Sequence, residues 1–427
     1  MVTDATIARH RLVDALVRRG VIRKRAVAEA LGAVPRHVFL PLVPSAAAYA
    51  DEAVVTKSDA AGRAVSSCSQ PTMIATMLGQ LRPEPGQRVL EIGAGTGYNA
   101  ALLRHLVGPA GTVVTVDLDA DIVDAARRNL AAAGVDGVEV VQADGADGWP
   151  PGAPYDRIIL TVGADDLSPA WVYQLAPDGR LVVPLGFRGV QASVAFVAPP
   201  AAASTATLVS DSAVGCGFVR LRGSLAVEER AVAMDDAGEV VLEAAQASAA
   251  LDEAWLRAAF ADVAATPGTA VATDVMAAKG EATDGLGLWL GLREPAAVTL
   301  LARGGAARSH GLPALVRRSG LAMTCGLAVN ANLALLDWQG GELIARGWGP
   351  APSAAALAKR LAGVAQGWDA AGRPLLQDFR IAAWVGTPAP AGAAGLGSLA
   401  ADAPAEPGED VLRVALGHAV LHLLRNR

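Results

Sequence analysis

The sequence predicts an α/β fold: a doubly wound, mostly parallel sheet, with a helical segment before it and an α+β accessory domain after it. Three observations carry that prediction. The strand-like run Val89-Leu90-Glu91-Ile92 ends in Gly93-Ala94-Gly95-Thr96-Gly97, and the residues from Asn99 to Leu106 have helical spacing. Strand, glycine-rich turn and helix open a nucleotide-binding sheet. Further strand-like and helix-like runs then alternate, as βαβ units do. Finally, 427 residues exceed one typical domain, and a hydrophobic content of 52% is enough for a large core.

Taken in order, residues 6–32 carry two helical patterns. The first places Ile7, Leu12, Leu16 and Val17 on one face and breaks at Gly20, and the second runs from about Lys24 to Leu31. Pro35 to Pro41 interrupts the helical run. An extended piece, Ala48 to Val55, and a polar loop, Thr56 to Arg63, are expected next. Ser66-Ser67-Cys68-Ser69-Gln70-Pro71 then leads into a helix from about Thr72 to Leu81, with Pro71 in its first turn and Ser69 as its cap. A cap needs one serine, so three in four residues point to a polar substrate cradle.

The second strand, Val113 to Val116, ends in Asp117, 20 residues after Gly97. A carboxylate at that tip can accept both hydroxyls of a ribose. The glycines are spaced G-x-G-x-G, not G-x-G-x-x-G, and no Lys-Ser/Thr pair offers to hold a phosphate. A ribose and an adenine without phosphate fit S-adenosylmethionine. A third strand, Val138 to Val141, leads to Asp144 and Gly145, a second carboxylate at the same sheet edge and suited to the adenine amino group. The expected donor site is therefore Glu91, Gly93, Gly95, Gly97, Asn99, Asp117, Leu118, Asp144 and Gly145. A fourth strand at Ile158 to Val162, a helix from about Pro169 to Leu175 and a fifth strand at Arg180 to Pro184 complete the sheet.

The formal charge is −6 with no basic run, which disfavours nucleic acid. Cys68, Cys216 and Cys325 are far apart and odd in number, so neither a disulfide framework nor a zinc site is expected, and a reducing compartment is. No signal peptide opens the chain. The uncharged stretch between Arg318 and Asp337 contains Ser319, Thr324, Asn330 and Asn332, which predicts a buried strand pair and no membrane span. A cytoplasmic location follows. His418 and His422 stand four apart on an expected helix from Asp410 to about Leu424. With no Glu or Cys at ligand spacing they read as helix surface, and no metal is expected.

The C-terminal half shows no catalytic motif. Leu225 to Met234 and Val240 to Leu242 read as strands around Asp235 to Gly238, and Ala250 to Phe260 as a helix. Leu286 to Leu292 and Val298 to Ala302 read as paired strands. Leu327 to Leu336 and Leu343 to Arg346 read as a hairpin, Ser353 to Trp368 as a helix and Phe379 to Val385 as a strand. Residues 387–408, rich in Ala, Pro and Gly, read as a loop. The expected divisions are 1–70 (helical and substrate loop), 71–222 (donor-binding core) and 223–427 (accessory, peptide recognition).

Over about the first 220 residues the chain resembles the protein-L-isoaspartate O-methyltransferase family. The matching pieces include Leu12–Ile22, Val34-Pro35-Arg36, Phe39-Leu40-Pro41, Ala48-Tyr49 and Ser67-Cys68-Ser69-Gln70-Pro71. Val89–Asn99, Asp144-Gly145, Gly148-Trp149-Pro150, Tyr155-Asp156-Arg157-Ile158 and Pro177–Pro184 also match. The resemblance implies a class I (Rossmann-like) methyltransferase that uses S-adenosylmethionine to esterify an isoaspartyl carboxylate in a peptide. Two departures stand out. The segment Val54–Arg63 and the pair Ser66-Ser67 replace the family's apolar segment and its Gln-Thr, and about 200 residues follow the core. Both resemble the subgroup associated with ribosomally made, modified peptides, whose members methylate an aspartate in a precursor or macrocyclised peptide. The ester then collapses to a succinimide (aspartimide), which persists or opens to isoaspartate.

The chemistry suits the residues. A carboxylate is ionised at neutral pH and needs no strong general base, so orientation supplies the rate, worth about 7–11 kcal/mol of barrier. Ser67 and Ser69, with Ser66 behind them, are the expected catalytic hydroxyls. Lys57, Arg63 and Gln70 are the expected contacts to an acidic peptide.

Overall fold

The computed structural model describes residues 4–60, 62–187, 190–200, 207–226, 231–244, 253–266, 268–278, 285–303, 312–318, 321–386 and 411–425. Helix α1 (Asp4–Arg18) and helix α2 (Arg25–Ala33) bury Leu16, Val27, Ala30 and Leu31. Ile7 and Val17 remain exposed, so the buried stripe of α1 is narrower than the sequence predicts. After a tight turn at Arg36–Phe39 and the short α3 (Ser45–Ala48), strands β1 (Val54–Ser58) and β2 (Ala64–Cys68) form an antiparallel hairpin. This corrects the expected polar loop. Val54 and Val55 pair with Cys68 and Ser67, and the ladder carries Thr56–Ser58 into the strand.

Helix α4 (Pro71–Leu81) has Pro71 in its first turn, as predicted, but Ser69 does not cap it. Asp51 does: its carboxylate accepts from the Thr72 N–H at 2.9 Å and from the Thr72 hydroxyl at 2.6 Å. A cap of this kind is worth about 1 kcal/mol.

The alternating part then follows in sequence: β3 (Arg88–Ile92), α5 (Tyr98–Val107), β4 (Thr112–Asp117), α6 (Ala120–Ala132), β5 (Val138–Gln142) and β6 (Tyr155–Leu160). The short α7 (Pro169–Tyr173), β7 (Leu175–Phe187), β8 (Val190–Val197) and β9 (Thr207–Gly215) continue it. Strands β5, β4, β3, β6 and β7 lie in that order and run parallel. The inner strands β3 and β4 are buried on both faces, which is why each reads as a nearly continuous apolar run. Leu16, Val27 and Leu31 belong to the same core cluster as Leu102, Leu103 and Val113. The division expected at residue 70 therefore does not separate two cores.

A second compact unit spans chiefly Glu228–Phe379. It contains β10 (Ala231–Ala233), β11 (Val240–Ala244), α8 (Glu253–Ala265), β12 (Thr269–Met276), α9 (Leu286–Arg293) and β13 (Ala297–Arg303). It continues with β14 (Val316–Arg318), β15 (Leu321–Val329), β16 (Asn332–Gln339), β17 (Glu342–Trp348) and α10 (Ser353–Ala370). Its sheet has the order β10-β11-β13-β15-β16-β17-β12, with β14 paired to β15, and α10 packs on β12, β16 and β17. The strand pair predicted between Arg318 and Asp337 is β15 and β16. Leu286 to Leu292 is a helix and not a strand. All but Gly287 of these residues are buried, so no polar face betrays the helical period.

The remaining strands, β18 (Phe379–Val385), β19 (Val411–Ala415) and β20 (Ala419–Arg425), extend the first sheet to the order β19-β20-β18-β9-β8-β7-β6-β3-β4-β5. Two expectations fall here. The first compact unit takes in Arg380–Leu424, so 223–427 is not one domain. The predicted terminal helix is the β19–β20 hairpin, whose backbone groups pair strand to strand at the edge of the first sheet. His418 sits in its turn, where its Nδ1 lies 2.7 Å from the Asp166 carboxylate, and buried His422 packs on the Trp384 ring with centroids 4.5 Å apart. The pair does not share a helix face. Residues 387–408, read as a loop, and the first residues of the strand and helix read at Leu225 and Ala250 lie partly or wholly outside the described residues. Among the described residues no helix is long and apolar enough to cross a membrane.

In the second unit a Cβ on Gly326 would lie 1.9 Å from the Ala334 carbonyl oxygen, a backbone atom of the neighbouring strand. Gly326→Ala should therefore destabilise that unit by about 1–3 kcal/mol. Urea unfolding followed through tryptophan fluorescence measures it.

Candidate active site

The turn after β3 holds Gly93, Gly95 and Gly97 at φ values of +100°, +49° and +84°. Only glycine follows this path cheaply. Space adds to the requirement, since a Cβ on Gly93 would lie 2.8 Å from Thr161 Oγ1 and one on Gly97 3.2 Å from the Ala126 carbonyl. The Val116 carbonyl accepts from both the Gly93 and Ala94 N–H groups, at 2.8 and 3.0 Å, which ties the turn to the end of β4.

Asp117 closes that end. Its carboxylate accepts from the Gly95 N–H at 3.1 Å and lines a solvent-open cleft of about 550 Å³ with Gly93, Gly95, Leu118 and Gly145. Burial raises the Asp117 pKa above its ordinary value, against the lowering effect of the Gly95 and Asp119 N–H groups. Val116, Leu118, Val162 and Leu221 supply apolar walls, and Ser66 and Ser67 of β2 face the cleft from the opposite side.

A smaller notch of about 280 Å³ adjoins it, lined among others by Ser67, Ser69, Glu91, Tyr98 and Asn99. Cleft and notch share Ser67, Gly93, Gly95 and Thr161. Glu91 is fully buried, and its carboxylate accepts from Thr115 Oγ1 at 2.6 Å and Asn99 Nδ2 at 2.8 Å. Ser66 lines the cleft but not the notch; its hydroxyl accepts from Thr56 at 3.2 Å, and it also lines a neighbouring, mostly apolar groove with Phe39 and Leu40.

Glu91 and Asn99, expected at the donor, line only the notch, Gly97 lines neither cavity, and four further expected residues are placed otherwise. Lys57 binds Asp119 and Asp121 at 2.7 and 2.8 Å, so its charge is already compensated. Arg63 closes the hairpin turn on Asp59 at 2.7 Å. Gln70 donates to the Asp51 carbonyl at 2.9 Å and lines neither cavity. Asp144 accepts from the Ala146 and Ser224 N–H groups at 2.9 and 2.7 Å, leaving its neighbour Gly145 to line the cleft. Burial would raise the Asp144 pKa, but those N–H groups outweigh it and hold the carboxyl low.

Sequence reasoning missed Thr161 and the segment Val219–Arg222. The Val219 carbonyl accepts from the Gly163 N–H at 2.8 Å, and the Leu221 N–H donates to the Gly163 carbonyl at 2.7 Å. Arg220 pairs with Asp165 at 2.6 Å and Arg222 with Asp119 at 2.9 Å. The alternation Val219, Arg220, Leu221, Arg222 was the available signal, an extended piece with an apolar and a basic face. Because both arginines already meet carboxylates, the cleft suits an uncharged adenosyl group better than a phosphate. Its apolar walls and ribose-matching carboxylate suit S-adenosylmethionine.

The family model "Protein-L-isoaspartate(D-aspartate) O-methyltransferase" matches residues 7–223. The protein-L-isoaspartate O-methyltransferase of Methanopyrus kandleri is 45% identical over 185 residues, 43% of this chain and 79% of that protein. Protein-L-isoaspartate O-methyltransferase 2 of Geotalea uraniireducens is 36% identical over 218 residues, 51% of this chain and 94% of that protein. A solved protein-L-isoaspartate O-methyltransferase superposes with a TM-score of 0.48 at 23% identity, covering 88% of this chain and 96% of that one.

Burial pushes the Glu91 pKa from 4.5 up to about 7, against the opposing bonds from Thr115 and Asn99. An acid held higher when folded favours folding while protonated and loses that contribution as pH rises through the folded value. Relative to Glu91→Gln, the native chain should lose up to about 3 kcal/mol of stability between roughly pH 4.5 and pH 7. Urea titrations of both proteins at pH 5 and pH 7.5 read the difference.

Proposed function

The chain belongs to the protein-L-isoaspartate O-methyltransferase family, whose members are S-adenosylmethionine-dependent carboxyl methyltransferases, and we propose that its own substrate is an aspartate in a ribosomally made, modified peptide. The observation that carries the chemistry is the shared wall of cleft and notch, where Ser67 borders both. When bound, the sulfonium donor supplies an electrophilic methyl group that a carboxylate oxygen can take without a general base.

The chain's own residues supply position. Asp117 would hold the ribose hydroxyls, and Leu118, Val162 and Leu221 would enclose the adenine. Ser67 and Ser69 would donate to one carboxylate oxygen and leave the other aimed at the methyl group. The ester formed is a better acylating group than the acid. The nitrogen of the next peptide residue attacks its carbonyl, methanol leaves, and a succinimide results.

Two features favour the peptide-maturation reading over general repair. Ser66-Ser67 stands where repair enzymes carry Gln-Thr, and the unit spanning Glu228–Phe379 lies beyond the family match at residues 7–223. We assign that unit to peptide recognition. Repair of isoaspartyl proteins is the second reading, and the family's own substrate favours it.

The decisive experiment incubates the enzyme and S-adenosylmethionine with a precursor peptide from a neighbouring gene and, separately, with unrelated isoaspartyl peptides. Mass spectrometry should find gain of a methyl group and then loss of methanol on the precursor. Fast methylation of many unrelated isoaspartyl sequences, with none on the precursor, would return the chain to repair. Within the site, Ser67→Ala should slow transfer about 10- to 100-fold while calorimetric affinity for S-adenosylmethionine stays unchanged. Asp117→Ala should weaken that affinity by a similar factor.

A further inference from the structure

Arg36 is wholly buried, yet among the described residues no carboxylate bonds to it. Its Nε donates to the Ala48 carbonyl at 2.8 Å, and its Nη2 to the Glu52 and Cys68 carbonyls at 3.4 and 3.3 Å. Its Nη1 has no partner. Its guanidinium lies 5.2 Å from the centroid of the Tyr98 ring. A buried cation without a counter-charge is costly, and such a cost is retained where something else compensates it.

The surroundings show where compensation can come from. Of the residues Arg36 touches, Cys68 and Tyr98 line the notch. Burial raises the pKa values of Cys68, Tyr98 and the nearby Tyr49, so these groups are neutral and none opposes or cancels the charge. Glu91, the notch's own carboxyl, is bonded to Thr115 and Asn99, and burial raises its pKa to about 7.

We propose that Arg36 is the positioning residue that makes the notch select an anion, its missing counter-charge being the carboxylate of the bound peptide. This rests on the methyl-transfer reading above. The guanidinium stands one residue layer behind the notch, and through a buried layer its attraction is screened far less than in water. The substrate's negative charge disappears as the ester forms, so the attraction is stronger before transfer than during it. It therefore serves binding and not the chemical step.

The test compares calorimetric affinities for an isoaspartyl peptide and its side-chain amide counterpart, with S-adenosylhomocysteine present. If only the aspartyl form is esterified, the aspartyl and asparaginyl peptides replace them. The native enzyme should prefer acid over amide, and Arg36→Met should cut that preference about tenfold. KM for the acid should rise by a similar factor without a fall in kcat. Arg36→Lys keeps the charge and should hold the preference within about threefold. An Arg36→Met enzyme with native preference overturns the inference. So does a folded Arg36→Lys enzyme that has lost it, and so does a loss confined to kcat. A native enzyme that esterifies no acidic peptide overturns the function itself, a different result.

Discussion

The backbone between Ile92 and Tyr98 follows a course that side chains forbid, and the rest of the site depends on that constraint. Three glycines at positive φ let the turn rise from β3, pass the end of β4 and enter α5. The course is fixed on both sides, by the Val116 carbonyl that accepts two of its N–H groups and by Thr161 against Gly93. Gly95 thereby comes within van der Waals reach of β2, its added Cβ lying 3.6 Å from the Ser67 carbonyl. The hydroxyl-bearing strand β2 and the glycine turn thus approach closely along the wall of the cleft.

Charge is arranged around that turn so that little of it is left unpaired in the cleft. Asp119 gathers Lys57 of the hairpin and Arg222 of the segment after β9. The Arg222 hydrogen bond, with that from Lys57, lowers the Asp119 pKa despite burial. These pairs are partly exposed and contribute little to stability singly. Their effect is to join three distant pieces of chain over one cavity while cancelling their charges. What remains is Asp117 facing the cleft and a set of hydroxyls facing the notch, a polarity that suits a ribose on one side and a carboxylate on the other.

Much of this was legible in the sequence, and the boundary is physical. Strands β3, β4, β5 and β6, the glycine turn and Asp117 depend on local patterns, and they stand where the sequence places them. The residues that failed are those whose partners lie far along the chain. Lys57 meets Asp119 across 62 positions and Arg222 meets it across 103, so no local rule announces that their charges are spent. Asp51 caps α4 from 21 residues away, leaving Ser69 free for the notch. Apolar composition misled in two places. Leu286–Leu292 hides a helix among buried residues, and Val411–Ala415 with Ala419–Arg425 supplies strands where a helical spacing was read.

We infer that an adenosyl donor lies along Asp117 with its sulfur turned toward Ser67 and Ser69. A crystal structure of the enzyme with S-adenosylhomocysteine tests it most directly. The ribose hydroxyls should lie on the Asp117 carboxylate, the adenine among Leu118, Val162 and Leu221, and the sulfur at the wall between cleft and notch. A ligand bound elsewhere, or one whose sulfur faces away from the β2 serines, would contradict it.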